Sequence, residues 1–395
     1  MRYDVLIVGG GVVGSALALS LIRQGMNVGL IETNLSPDLD LASFDSKVYA
    51  INPASEHIFK NLGVWDFITS GRISKFTKMV IWDDNYINSL HFDAVNAASH
   101  RLGYIVEHKV LLTALYNKLF SCQGFDFISP DSLKSFDKNE HEVVVYLESG
   151  KKISSKLLVG ADGSHSKTRD LAGILFEKYD YGQKAIVANI KLEKLQIETA
   201  WQRFTPSGIL ALLPLDHEHC SIVLSTKIAD HLLSLSDSEF CQYLQDMLQN
   251  QLHILSLISP RVAFPLYGGN AKNYIKDKVV LVGDAAHIIH PLAGQGVNLG
   301  LMDIAVFSEI IDSRKNDYSY NRYLRAYERA RKGENLMSRL TMEGFQWIFL
   351  NENSFLKSFR NTGFAWVNNQ DFLKKRIIKH ASGLSGIRPK LVSSF

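Results

Sequence analysis

Three stretches of this chain carry residues of the types and spacing that bind phosphates and flat anionic rings. The first is Gly9-x-Gly11-x-x-Gly14, with Glu32 further on. Gly9 permits a sharp turn, Gly11 lets a pyrophosphate approach the backbone, Gly14 beside Val13 lets a helix pack on a strand, and Glu32 accepts hydrogen bonds from a ribose. The second is Gly160-Ala161-Asp162-Gly163-Ser164, leading to Arg169; Asp162 reads either as a helix N-cap or as a group on the phosphate side of a nucleotide. The third, Gly283 to Gly300, is GDAAHIIHPLAGQGVNLG. Its glycines at 294, 296 and 300 and Pro291 let a backbone approach a flat ligand, and the helix after it presents free N–H groups to anionic atoms. His287 and His290 are acid–base candidates. His287 reads better as a structural histidine behind the loop, whereas His290, just before Pro291, stays open between the two roles. Two histidines three apart without carboxylates at matching spacing make no metal site. Lys47 reaches back toward nucleotide phosphates or is simply solvated.

These loops need elements to hold them. Tyr3 to Val8 is a strand, the spacing of Leu17, Leu21 and Ile22 a helix, Gly25 its stop, and Asn27 to Ile31 a second strand. A loop over 36–46 and a helix over 48–62 follow, then paired strands at 76–82 and 89–92, a helical pattern over 102–120, and a hairpin of 142–147 with 152–159 that delivers the second loop. Strands at 185–192, 199–204, 209–215 and 220–225 form a meander with turns at Pro206-Ser207-Gly208 and Asp216-His217-Glu218. A helix over 236–251, a strand over 261–265 and the strand 278–282 lead to the third loop. The fold class is α/β: a discontinuous nucleotide-binding domain from 1–75, 101–175 and 270–345, an inserted, mostly antiparallel sheet from 76–100 and 176–269, and a helical tail over 346–395. In the insert, Trp201, Phe204, Leu210, Leu212 and Pro214 either line an apolar substrate cavity or fill a core.

With 395 residues, 46 % of them hydrophobic, the chain fills a sizeable core. Its three cysteines, Cys122, Cys220 and Cys241, lack C-x-x-C spacing and support neither a disulfide framework nor zinc, which fits a reducing, cytoplasmic setting. The apolar run from Val5 to Leu21 is broken by glycines and lacks a cleavage region, and no stretch approaches the ~20 apolar residues that span a bilayer. Residues 314–395 hold 16 Lys and Arg against 6 Asp and Glu, while the rest holds 27 against 34. The basic tail is also aromatic, with Phe345, Trp347, Phe349, Phe355, Phe359, Phe364 and Trp366 near Lys357, Arg360, Lys374, Lys375 and Arg376. It reads equally as a surface peripheral to the inner face of a membrane, a protein-docking surface, or a helical cover with a solvated basic face. No motif calls for nucleic acid.

The order of the loops, with the meander between the second and third, resembles the flavoprotein monooxygenases of the p-hydroxybenzoate hydroxylase architecture. The residues that carry it are GGGVVG at 9–14, GADGSHSKTR at 160–169 and the third loop. Within that superfamily, LGVW at 62–65, LGYIVEH at 102–108, WQRFTPSG at 201–208 and ALLPL at 211–215 resemble the ubiquinone-biosynthesis hydroxylases, over essentially the whole chain. The resemblance implies an FAD-binding, Rossmann-like domain of glutathione reductase type. Gly9, Gly11, Val13, Gly14 and Glu32 would hold the ADP half of FAD, Asp162 the pyrophosphate side and NAD(P)H, and Asp284 the ribityl or pyrophosphate region. Pro291 and the backbone of Gly294, Gln295, Gly296, Val297 and Asn298 would line the isoalloxazine, with Pro291 and His290 nearest the reaction. Where Lys47 stands the family usually has arginine, and lysine keeps the charge without the bidentate contact.

The implied chemistry is reduction of FAD by NAD(P)H, formation of a hydroperoxyflavin with O₂, and hydroxylation of a polyprenylated phenol or benzoquinol ring, alongside other ubiquinone-biosynthesis proteins as partners. A disulfide reductase would carry C-x-x-C or a second G-x-G-x-x-G, and a flavin halogenase W-x-W-x-I-P; neither is present. A non-catalytic FAD-bound scaffold, or a monooxygenase of another aromatic substrate, remains the alternative.

Overall fold

The computed structural model describes residues 2–35, 43–83, 89–193, 198–290, 294–312, 320–350, 363–364, 366–386 and 388–393. Strand Arg2–Val8 runs parallel to Lys152–Gly160 on one side and to Val28–Ile31 on the other. The sheet continues in parallel through Val279–Leu281 and Phe125–Ile128, with Leu133–Lys138 and Val143–Leu147 as an antiparallel flank. Leu6, Ile7, Val28, Leu30, Leu158, Val159, Val280 and Leu281 are buried, because a parallel sheet covered on both faces needs near-continuous apolar strands. Helix Val12–Ile22 lies against helix Gly296–Asp312. A Cβ on Gly300 would come within 2.7 Å of Val13 Cγ2, and one on Gly283 within 3.3 Å of Val13 Cγ1. Two glycines therefore form the notch that seats Val13 and brings the first loop beside the third.

The second sheet runs in the order His287–Ile288, Val262–Ala271, Phe176–Leu192, His219–Thr226, Gly208–Pro214, Thr199–Thr205, Lys78–Trp82, Leu90–Asp93. The meander is antiparallel, but Thr199–Thr205 pairs in parallel with Lys78–Trp82. Two expected helices are shorter than their apolar patterns. Val48–Ile51 is a strand, and the helix Pro53–Leu62 begins only after Asn52, whose side chain accepts from Ser55 N with Pro53 in the first turn. Gly103–Glu107 is likewise a strand ahead of helix His108–Phe120. Both pair with each other, and Ile73–Phe76 completes a small sheet. Short apolar runs do not by themselves separate strand from helix, and here pairing decided.

The tail divides. Phe349 and Phe364 are buried with Phe204, Ile209, Leu90 and Phe92, so this part covers the second sheet. Phe345, Trp347 and Trp366 remain exposed. Lys374 is buried rather than solvated, while Phe355, Lys357, Phe359 and Arg360 lie outside the described residues.

One carboxylate ties these parts together. Asp303, in helix Gly296–Asp312, is fully buried and accepts from Gly283 N at 3.0 Å, His287 Nε2 at 2.5 Å, Arg331 Nε at 2.8 Å and Asn335 Nδ2 at 3.2 Å. Arg331 and Asn335 come from the long helix Tyr320–Leu350. Burial alone would raise the Asp303 carboxyl, but the charges of His287 and Arg331 and their hydrogen bonds outweigh it and hold it at about 2. A depressed folded-state value means stability that is present above about pH 4 and is lost as pH falls toward 2. Asp303→Ala leaves Arg331 buried without its main counter-charge and should cost about 3–5 kcal/mol in urea unfolding at neutral pH, with the acid-dependent loss between pH 4 and 2 reduced. An Asp303→Ala protein with wild-type midpoint and acid profile would refute this role.

Candidate active site

The strand register places the three loops at one level. Val8 stands beside Gly160, and Gly160 beside Leu281, so all three leave the same carboxyl edge of the parallel sheet. That edge is where open α/β sheets bind ligands. Backbone bonds lock the loops together: Gly9 N to Ile31 O at 2.9 Å, Ala161 N to Val8 O at 2.8 Å and Val282 N to Gly160 O at 3.0 Å. Gly9 has φ +103°, and a Cβ there would lie 2.4 Å from Ala161 O; one on Gly14 would lie 1.9 Å from Gly9 O. These two glycines are therefore required by the protein's own packing. Gly11 and Gly296 differ, since a Cβ on either meets nothing within 4 Å. Each stands at the start of a helix with no acidic residue in the first turn, so two bare, positively polarised helix ends face the same edge. That is a cradle fit for the pyrophosphate and for the electron-rich end of a flavin.

The acidic residues divide between holding loops and lining the cleft. Glu32 Oε2 accepts from Gly10 N at 2.6 Å, and Oε1 from Thr33 Oγ1 and Asn34 N at 2.9 Å. Tyr116 Oη and Ser15 Oγ both donate to Gly10 O at 2.8 Å, which fixes the first loop further. Asp162 accepts from Ser166 Oγ at 2.5 Å and Thr168 N at 2.9 Å, so its side chain caps the short helix Lys167–Leu171. The connection between the second and third loops comes instead from Arg169, buried over the Phe176 ring at 4.0 Å, which donates to Ser164 O at 3.1 Å and Ala285 O at 3.2 Å. Asp284 is open to water yet surrounded by protein, and this enclosure raises its carboxyl; His287 and Lys47 oppose the rise and Asp303 adds to it.

Lys47 belongs to this cleft. Burial works to lower its ammonium, but Tyr49, Asp284 and Asp45 together hold it above its ordinary value. Its Nζ stands 5.7 Å from the centre of the Tyr49 ring, and Tyr49 Oη meets His108 Nδ1 at 3.2 Å. Burial, and then the charge of Lys47, push His108 down to about 4. Tyr49 and His108 escaped sequence reading, because both lie in stretches whose periodicity resembled helix; the only signal was the polar pair Glu107-His108 closing an apolar strand. Glu107 anchors the segment, accepting from Arg72 Nε at 2.6 Å, Arg72 Nη2 at 2.8 Å and Asp45 N at 2.7 Å.

In the third loop, Gly294 has φ +61° and lies against Ala50, and Asn298 donates to Ala50 O at 2.8 Å and accepts from Asn52 N at 3.1 Å. The Asn298 side chain thus staples the helix start to strand Val48–Ile51, leaving its backbone toward the cleft. Gln295 O accepts from Leu299 N, and Val297 is buried. Pro291 lies outside the described residues. His290 is buried with neither ring nitrogen hydrogen-bonded among the described residues, its ring edge-on to Tyr181 at 4.9 Å. Burial pushes it down to about 4, so it is neutral at physiological pH. Among the described residues no His, Cys, Asp and Glu group could hold a metal.

The expected substrate wall needs correction. Trp201, Leu210 and Leu212 pack on the far face of the second sheet against Phe240 and Leu244, with Trp82 edge-on to Trp201 at 5.8 Å, and Pro214 shares that face by alternation. Phe204 is on the near face, but it stacks on Phe349 at 4.2 Å. The residues that look toward the cleft are the intervening ones. Leu213 clusters with Phe44, Val48 and Ala50, and Ala211 and Val223 are partly open at the centre of the sheet. A strand's period of two hides which half of an all-apolar run faces a ligand.

Because a Cβ on Gly296 meets nothing within 4 Å among the described residues, Gly296→Val should fold with an unchanged unfolding midpoint yet lose flavin. Absorbance of the purified protein near the flavin bands, relative to protein, measures it. Wild-type flavin content would mean that the cradle lies elsewhere.

The sequence model of the FAD binding domain family matches residues 2–335. The chain is 33% identical to the 3-demethoxyubiquinol 3-hydroxylase of Escherichia coli (strain K12), over 96% of this chain and 98% of that protein. It is 30% identical to the ubiquinone hydroxylase UbiL of Rhodospirillum rubrum, over 98% and 91%. Among solved structures, the p-nitrophenol 4-monooxygenase PnpA of Pseudomonas putida DLL-E4 superposes with a TM-score of 0.79 at 16% identity, covering 98% of both chains. PqsL of P. aeruginosa in complex with 2-aminobenzoylacetate does so with 0.79 at 21%, covering 91% of this chain and 100% of that one. These structures share the fold, and the sequence relatives narrow it: the chain belongs to the FAD-dependent monooxygenase family of the ubiquinone-biosynthesis hydroxylases.

Proposed function

We propose that this enzyme hydroxylates a ring carbon of a polyprenylated phenol or benzoquinol on the path to ubiquinone. One atom of O₂ enters the ring, and the other leaves as water with two electrons and a proton supplied by NAD(P)H and one proton from solvent. The observation that carries the reading is the meeting, through Ala50, of the bare helix start at Gly294 to Gly296 with the apolar face at Leu213. A charged redox ring and an apolar aromatic substrate need those two surfaces side by side.

Bound FAD supplies the electron transfer and oxygen activation. The chain's own residues do the rest. The N-terminus of Gly296–Asp312 favours negative charge at the flavin end of the cleft, and Lys47 sets a cation opposite Asp284. Gly9, Gly11, Gly14 and Glu32 position the ADP half, with Asp162 acting through its helix cap. Phe44, Val48, Ala50, Leu213 and Leu215 keep water from the reacting ring. The neutral His290 is suited to accept a hydrogen bond from a ring hydroxyl rather than to place a charge there.

The tail supports contact with the membrane that holds such a substrate. On helix Asp371–Ala381, Phe372 is 71% exposed, and Lys375, Arg376 and Lys379 follow it at helical spacing on the same side. No helix among the described residues is long and apolar enough to cross a bilayer, so the contact is peripheral.

Two measurements test these readings. With isotopically labelled O₂, NAD(P)H and a prenylated benzoquinol, the FAD-loaded protein should place one labelled oxygen on the ring; NAD(P)H oxidation without labelled product overturns the hydroxylase assignment. In flotation assays the protein should bind vesicles rich in anionic lipid and lose about a hundred-fold in binding when Lys375, Arg376 and Lys379 become Gln, since each basic residue contributes about 1 kcal/mol near such a surface. Equal binding to neutral vesicles would refute the electrostatic contact.

A further inference from the structure

Among the described residues, the face of the second sheet turned toward the third loop is packed at two ends and partly accessible between them at Ala211 and Val223. At one end Ala200, Leu213 and Leu215 pack with Val48 and Ala50; at the other, Phe204 and Ile209 pack with Phe349 and Phe364. Between these clusters the register aligns one row across four strands: Ala211 beside Val223, Val223 beside Val187, and Val187 beside Val262. Cross-strand partners share a face, and the neighbours that alternate with them, Leu212, Ile222, Ile186 and Ala263, pack into or against the helical core on the other side.

The row is apolar throughout, buried at Val187 and exposed where it reaches the sheet edge. Ala211 and Val223 are partly accessible although they occupy the middle of the sheet, and Val262 is 48% exposed with Phe264 at 44% two residues on. Among the described residues, strand Val262–Ala271 is paired on its outer side only at Gly269 and Asn270, so the row ends at an open stretch of edge. Three inter-strand steps from Ala211 to Val262 span about 14 Å. The inner end adjoins Leu213, which clusters with Ala50, against which Gly294 of the third loop rests.

We propose that this row seats the isoprenoid tail of the substrate, which leaves the ring loop past Leu213, crosses Ala211, Val223 and Val187, and emerges at Val262 and Phe264. The assignment rests on the reading of the substrate as a polyprenylated ring. A hydrocarbon chain is recognised by burial alone, and a row of small and β-branched side chains between two aromatic-rich clusters provides an apolar strip, bordered on the same face by Ser221 and Asn189. Gln202, paired with Ala211 and buried, closes the other end of the row and makes it directional. The exposed valine and phenylalanine at the edge become the rim where the remaining tail passes out of the protein.

Equilibrium dialysis of the FAD-loaded protein against two benzoquinol analogues, one with a single isoprene unit and one with a long isoprenoid tail, tests this. Wild-type protein should bind the long-tailed analogue about ten-fold or more tightly. That advantage should disappear in Ala211→Trp, which fills the row, and fall several-fold in Val262→Asp, which sits at an exposed position and leaves the core packing intact. No tail preference in the wild type, or a preference retained in Val262→Asp and in Ala211→Trp, overturns the proposal. A preference that is present and lost in these variants, in a protein that hydroxylates no quinol ring, would uphold the tail seat and defeat the hydroxylase reading alone.

Discussion

The buried Asp303 carboxylate is the constraint on which the rest of this molecule depends. Removing a carboxylate from water is costly, and it remains ionised only because an arginine, a histidine, an amide and a backbone N–H converge on it. Each donor belongs to a different structural problem. Gly283 N begins the third loop, His287 starts the short strand that joins that loop to the second sheet, and Arg331 and Asn335 bring in the long helix. Tyr274, which bonds to Asn270 and Asn335, extends the network into the strand that leads there. The loop that would face a flavin is therefore not held only by the notch of Gly283 and Gly300. It is held from behind by charge as well, and Gly296 leaves its front bare.

The cleft itself is assembled from opposed polarities. Two helix starts and Lys47 supply positive potential along the carboxyl edge of the parallel sheet, while Asp284 stands among them in an enclosed position. Across the cleft the second sheet offers hydrocarbon: Leu213, Ala211 and Val223, bounded by two separate cores. An anionic cofactor on one side and an apolar ring on the other satisfy both surfaces at once, which neither domain could do alone. Strand Val48–Ile51 is the seam. Its Ala50 carbonyl accepts from Asn298, its side chain joins the same apolar cluster as Leu213, and the segment before it is moored by Glu107 and Arg72.

Much of this was legible in the residues. The glycine spacing at 9 to 14, the Asp-Gly turn at 162 and the run from 283 to 300 announced the three loops that leave one edge of the parallel sheet, because close backbone approach and sharp turns leave few choices of residue. Their common origin in one family was legible for the same reason. Local chemistry also forecast that His287 lay behind its loop, although nothing local named Asp303 as its partner, sixteen positions later on a helix and far from any motif.

What the chain determined by itself was thus the set of loops, the strands and helices that carry them, and the chemistry their backbones permit, since turns, caps and periodicity act over a few residues. The tertiary structure alone decided which side chains meet. It turned Trp201, Leu210 and Leu212 away from the cleft and Ala211 and Val223 toward it, because one step of register reverses every side chain in a strand. It made Asp162 a helix cap and gave the bridging of the second and third loops to Arg169. It drew Lys47 and Tyr49 toward Asp284 and His108 onto Tyr49, because the small sheet at this point forms only when strands more than fifty residues apart pair. Contacts between distant segments carry no local signature, and the active cleft is built almost wholly from such contacts.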